Sequence, residues 1–234
     1  MKNFILTTLA LLLFSAGAYA QAQLQVIHNS PTPGTNAGPV VDIYVNGQLL
    51  TPLTAVAFRN ATPFLSVPTG VDIEVAVAVS PSMDVSEAIA TFSLGQLTNG
   101  VSYTAIATGI VGSTETPFTI EVGAGRTAAN DPTEVDVQVF HGSPGAPNVD
   151  IDARFVGELV GDLAYGSFST DYLNLEPEEY LLDVVVAGTD NIAATFTADL
   201  TSLVGGAATV FASGLFNNTP EFGLYAALPD GMVT

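Results

Sequence analysis

Cysteine and tryptophan are both absent from the 234 residues. Without thiols the chain has no disulfide framework, no Cys-ligated zinc and no sulfur nucleophile or redox couple. Without indoles a sugar-stacking reading is weakened, although Tyr44, Tyr165, Tyr172 and Tyr225 remain as candidates for a binding face or for the core. Cations are scarce too: 4 Lys and Arg stand against 23 Asp and Glu, a formal charge of −19. A surface of that sign repels nucleic acid and anionic lipid, and there is no basic stripe to offset it. It favours cations, yet the carboxylates are scattered and no stretch has the Asp-rich spacing of an EF-hand loop. Their expected role is solubility in a salty exterior. A Gly-rich phosphate loop and an HExxH helix are also missing. The adjacent acidic pair Glu178-Glu179 sits in a turn before a strand, where solvated carboxylates are expected.

Only one long apolar run exists. Phe4 to Phe14, interrupted by Thr7 and Thr8, follows Lys2 and leads to the small-x-small site Ala18-Tyr19-Ala20. That is the pattern of a signal peptide over residues 1–20, and the run is short for a bilayer span. The mature chain is therefore expected to begin at Gln21 without a transmembrane segment and to work outside the cytoplasm: secreted, at the cell surface, or in a periplasm.

What is present is a repeat. Gln25-Val26-Ile27-His28-Asn29-Ser30-Pro31 followed by Val41-Asp42-Ile43 returns as Gln138-Val139-Phe140-His141-Gly142-Ser143-Pro144 followed by Val149-Asp150-Ile151. Further along, Ala90-Thr91-Phe92 returns as Ala194-Thr195-Phe196, so the repetition covers nearly the whole mature chain. Val71 to Val79 alternates apolar and polar residues, as does its counterpart from Tyr180; these are half-buried strands. Turn pairs such as Asn46-Gly47 and Asn99-Gly100 separate the strands, and only Ser82 to Ile89 reads as a helical turn. The expected fold is all-β: two tandem antiparallel, immunoglobulin-like sandwiches of about seven or eight strands each. The boundaries read as a signal peptide at 1–20, a first repeat at 21–122, a linker at 123–133 and a second repeat at 134–234. The linker is assigned from small residues without alternation; its Arg126 is expected to be solvated, with pairing to a neighbouring carboxylate as the alternative.

Both histidines of the chain occupy the same place in the repeat. Leu24, Val26 and His28 share strand parity, as do Val137, Val139 and His141, so each imidazole continues an apolar face just before a Ser-Pro turn. The favoured reading is structural. A neutral imidazole at the core rim ties the turn backbone to its neighbours, Ser30 and Ser143 bond nearby backbone, and Pro31 and Pro144 fix φ. Asp42 and Asp150 are expected to face outward and accept bonds from a loop. Two chemical readings compete. A Ser30–His28–Asp42 triad would make the chain an envelope hydrolase using His28 or its copy His141, but the spacing offers no nucleophile elbow. His28 with Asp42, or His141 with Asp150 or Asp152, falls short of a zinc ligand set; a weak calcium site at Asp150 and Asp152 would make a calcium-dependent adhesin. No catalytic residue, metal ligand or cofactor is therefore assigned.

With these residues in view, the motif resembles the tandem module called domain of unknown function 4397. That module opens with a strand ending in a His-x-Ser-Pro turn, followed by a Val-Asp-Ile/Val strand and an Asn-Gly or Asp-Gly hairpin. The first copy matches through Gly47 with a longer Pro- and Gly-rich loop, Thr32 to Val40. The second has Val156-Gly157 where the hairpin Asn-Gly would stand. The resemblance implies an exported bacterial protein of β-sandwich repeats, and it carries no agreed activity or catalytic residues. Relatives often continue into an anchoring segment, whereas this sequence ends at Thr234 soon after its last expected strand. The resulting expectation is a non-catalytic binding, adhesive or envelope-structural module. Its expected partner is a cell-surface polymer or an envelope protein; the oligomeric state is left open.

Overall fold

The computed structural model describes residues 21–36, 38–50 and 54–234; the predicted signal peptide lies outside them. The first eight strands are β1 (Gln21–His28), β2 (Val41–Val45), β3 (Gln48–Leu49), β4 (Leu65–Pro68), β5 (Asp72–Val79), β6 (Ala88–Gln96), β7 (Ser102–Thr108) and β8 (Thr119–Gly125). The next eight are β9 (Val135–Phe140), β10 (Val149–Ala153), β11 (Gly157–Leu163), β12 (Leu173–Leu175), β13 (Glu179–Val186), β14 (Ile192–Asp199), β15 (Ala207–Ser213) and β16 (Gly223–Ala227). They form four sheets, ordered β4-β1-β7-β8 and β3-β2-β5-β6 in the first repeat, β12-β9-β15-β16 and β11-β10-β13-β14 in the second. Adding eight to each label of the first pair reproduces the second, so the repeat is one of topology as well as of sequence.

The chain is all-β, two sandwiches in tandem. The sheets are not wholly antiparallel, which corrects the expectation: β1 pairs β7 in parallel, and β9 pairs β15 likewise. Each sandwich closes on its own apolar layer. Leu24, Val26, Ile43, Ile73 and Val75 form the first, and Val135, Val137, Ile151 and Val184 the second. Alternation sets these faces: Ile73, Val75 and Val77 point inward from β5, while Asp72 and Glu74 are exposed. The only helical piece among the described residues is a 3-10 turn, Val85–Glu87, inside the predicted segment and capped by Asp84, whose side chain accepts from the Ser86 N–H. No described helix is long and apolar enough to cross a membrane.

The inner sheets, β4-β1-β7-β8 and β12-β9-β15-β16, pack on each other. Ile27, Ile106, Phe140, Phe211 and Ala227 gather there in a third apolar cluster, fed from both repeats. Consequently β1 and β9 are buried on both faces, not one. The residues expected to be linker also belong to this seam. Gly123 to Gly125 are the end of β8, and a Cβ on Gly123 would lie 2.9 Å from the Phe168 ring of the other repeat. Arg126 is not a free surface group. It forms an ion pair with buried Asp136 and lies over the Tyr172 ring, 4.2 Å from its centroid. Tyr172 in turn donates to Ala124 O at 3.0 Å, and burial pushes its hydroxyl pKa up to about 12.

Candidate functional site

Each repeated motif is a brace. The His28 ring is 2 % exposed; its Nε2 lies 2.8 Å from Pro39 O and its Nδ1 faces the Ser30 N–H at 3.5 Å. A carbonyl only accepts, so Nε2 carries the proton and the ring is the neutral Nε2–H tautomer. His141 repeats this with Pro147 O at 2.9 Å and the Ser143 N–H at 3.5 Å. Burial lowers the pKa of both imidazoles, and the bond to the proline carbonyl only partly restores it. An aromatic edge closes each pocket: Phe58 beside His28, Tyr165 beside His141.

The serines point elsewhere. Ser30 Oγ donates to Gly109 O at 2.6 Å, and Ser143 Oγ donates to Gly214 O at 2.9 Å. Both glycines have positive φ, +80° and +90°. A Cβ on either would come within 2.1 Å of a backbone oxygen, Pro117 O or Glu221 O. Each serine thus pins the residue from which a loop departs, 110–118 in one repeat and 215–222 in the other. Pro31 and Pro144 follow in the buried turns.

Asp42 faces outward and accepts bonds from loops, as expected, but it is far more buried than an outward position implies. It lies on the outer side of its sheet but is only 3 % exposed, because loop segments close over it. Its Oδ1 accepts from the Ala55 N–H at 2.9 Å, and its Oδ2 from the N–H and hydroxyl of Ser82, both at 2.8 Å. Burial opposes ionisation, yet the bonds from Ala55, Ser82 and Ser80 outweigh it and hold the carboxyl below its usual range. Asp150 is half-buried and accepts from the Asp162 N–H at 2.7 Å. The structure therefore does not assemble His28, Ser30 and Asp42: no serine–histidine side-chain bond forms, and the carboxylate is committed to a different loop. Among the described residues no three His, Asp or Glu side chains are grouped so as to hold a metal ion.

Two features escaped the sequence reading. First, the two motifs touch. Asn29 Nδ2 donates to Gly142 O at 3.1 Å and to Ala212 O at 3.0 Å, across the seam. Second, Arg59 reaches from the first repeat to Ser213 Oγ at 3.0 Å and Glu221 O at 2.6 Å, its guanidinium between the Phe58 and Tyr225 rings. Asn29 and Arg59 are ordinary polar residues in sequence; only the Asn/Gly difference between otherwise matching motifs hinted at an asymmetric contact.

A pair of braced sandwiches locked through their inner sheets defines a tandem β-sandwich repeat protein. The chain belongs to the family described as domain of unknown function (DUF4397), which matches residues 22–152 and 135–227. The two matches overlap where the second His-x-Ser-Pro turn and β10 lie. No curated protein sequence matches the chain. Among solved structures, the Bacillus anthracis TIE protein aligns at 14% identity and TM-score 0.24, over 86% of this chain and 34% of that one. This chain thus spans about a third of that protein's length. Family 41 carbohydrate-binding modules from streptococcal virulence factors, described in terms of α-glucan recognition, align at 11% identity and TM-score 0.25, over 86% and 96% of the respective chains. Both alignments are too loose to carry an argument.

Proposed function

We propose that this chain is a non-catalytic binding or adhesive module, exported and displayed outside the cytoplasm, whose partner is a cell-surface polymer or an envelope protein. One observation carries the reading: the histidines and serines of the repeated motif are spent internally. Both imidazoles are buried, neutral and bonded to proline carbonyls, and both hydroxyls donate to glycine carbonyls. A general base needs a free lone pair within reach of a nucleophile's proton, and neither motif offers one. What the braces do is hold Pro39 and loops 110–118 and 215–222 in fixed positions on a rigid scaffold, where binding residues are usually carried.

The test is cosedimentation of the mature chain, residues 21–234, with envelope material from the cells that produce it, alongside labelling with a fluorophosphonate probe. Saturable capture with no labelling is expected. Labelling that disappears in His28→Ala or His141→Ala overturns the reading in favour of a hydrolase, and absence of capture overturns it outright.

A further inference from the structure

Loop 215–222 of the second repeat walls a surface hollow of about 380 Å³, together with Ala193 at the start of β14. Its equivalent, loop 110–118, is built on the same frame. In each a positive-φ glycine held by a serine hydroxyl is followed by a parallel bridge, Ile110 with Pro117 or Leu215 with Glu221. The side chains on that frame differ. The first repeat carries Val111, Gly112 and Ser113, and the Ser113 hydroxyl is consumed locally by the amides of Glu115 and Thr116. The second carries Phe216, Asn217 and Asn218, all exposed. Asn218 is consumed likewise, taking the Thr219 N–H at 2.7 Å, whereas the Asn217 amide and the Glu221 carboxylate make no side-chain hydrogen bond among the described residues.

The first repeat stiffens this loop. Its Gly34 N–H donates to Thr219 O at 2.9 Å, and Arg59 holds Glu221 O. The hollow is therefore shaped before any ligand arrives, which lowers the ordering cost of binding. Its size lies within the range of roughly 300–1,000 Å³ typical of small-ligand sites.

We propose that this hollow is the recognition site of the module and that it takes a neutral saccharide unit of a surface glycan. The inference rests on the binding reading above and gives it a location and a ligand class. A sugar ring offers an apolar C–H face and hydroxyls that both donate and accept. Phe216 and Phe222 supply the aromatic surface, the Asn217 amide supplies a donor and an acceptor, and Glu221 accepts. Charge decides against acidic glycans. Glu221 stands at the site, the chain carries −19, and the nearby cation, Arg59, is engaged with Ser213, Glu221 O and two rings.

The experiment is saturation-transfer NMR on residues 21–234 with neutral hexasaccharides (cellohexaose, maltohexaose, mannohexaose) and with anionic hexagalacturonate. At least one neutral hexasaccharide is expected to bind and to shift the Asn217 side-chain amide, with hexagalacturonate at least tenfold weaker. Phe216→Ala and Asn217→Gly should each lose tenfold or more at an unchanged melting temperature, glycine being chosen because residue 217 has φ +57°, and Val111→Ala on the matching loop should lose nothing. The site is overturned if no neutral hexasaccharide binds at about 10 mM, if hexagalacturonate binds best, or if both variants stay within twofold of the parent. Envelope capture separates the two ideas. Undiminished capture by Phe216→Ala, or capture abolished when the envelope is treated with protease, refutes the glycan site and leaves a binding module; absent capture by the unaltered chain refutes the module itself.

Discussion

Between His28 and Ser30 the chain carries Asn29, and between His141 and Ser143 it carries Gly142. The difference is complementary: a Cβ on Gly142 would lie 2.2 Å from Asn29 Nδ2 and 2.8 Å from both Ala212 O and the Phe140 ring. One repeat contributes the amide and the other the space for it. Gly142→Ala should therefore destabilise the fold by about 2 kcal/mol through overpacking. Asn29→Gly in the same chain should recover part of that loss, because the closest clash is then removed. Chemical denaturation of the two single variants and the double variant reads the coupling, and strict additivity would refute the contact. The braces also make a pH prediction. In the unfolded chain each imidazole titrates near ~6.5, while burial lowers both in the fold. Below that pH the unfolded chain takes up protons that the fold refuses. The histidine contribution is thus complete above about pH 6.5 and declines as acid is added. Melting temperature should fall between pH 7 and 5, a window in which ordinary carboxylates stay ionised, and a chain with His28→Gln and His141→Gln should show a flatter profile there.

At the scale of strands and turns, what was legible in sequence was local. Alternation in β5 and β13, the Asn46-Gly47 hairpin and the 3-10 turn at Val85–Glu87 all depend on neighbours a few residues away. The second buried face of β1, β7, β9 and β15 was not legible. Gln25, Thr104, Thr108, Gln138 and Thr209 look like the solvated side of a half-buried strand, yet all are buried. Gln25 Nε2, for one, donates to Thr62 O at 3.0 Å and Leu228 O at 2.7 Å, the latter 203 residues away. Nothing in a strand's own period encodes a partner that distant. Gly123 to Gly125 were misread for the related reason that glycine at a close approach between sheets looks like glycine in a linker. The site was half legible: parity placed both imidazoles with the buried face and turn chemistry bonded both serines to backbone, whereas the burial of Asp42 needed the covering loops. Arg126 illustrates the energetic weight of such distant pairings. Asp136 is wholly buried and accepts from Arg126, from the Asn130 N–H at 3.0 Å and from Asn174 Nδ2 at 2.5 Å. Removing the guanidinium leaves a buried carboxylate with its neutral donors alone, so Arg126→Gln should cost about 3 kcal/mol in denaturant unfolding, far beyond an exposed pair. A loss below about 0.5 kcal/mol would mean the ion pair is only a surface contact.

Over the whole molecule, the pairing of cations has a consequence for salt. The described residues contain three arginines, and each is already engaged: Arg59 across the seam, Arg126 with Asp136, and Arg154 with Asp183 through bonds of 2.7 and 2.8 Å. The remaining carboxylates therefore face one another with no free arginine or lysine between them on the described surface. Their mutual repulsion acts over the Debye length, about 30 Å at 0.01 M salt and about 10 Å at 0.1 M. Compaction on folding brings these charges closer, so screening should favour the folded state. The usual loss from screened surface ion pairs is small here, since two of the three arginines pair with carboxylates that are themselves buried, where salt penetrates least. The melting temperature should consequently rise by several degrees between ~0.01 and ~0.5 M NaCl and rise equally in KCl, because ionic strength is the variable. Millimolar calcium added at 0.5 M NaCl should then change little. A melting temperature that falls with NaCl would show that specific ion pairs outweigh repulsion. A saturable rise on adding calcium at high salt would instead reveal a bound ion that the carboxylate geometry does not display.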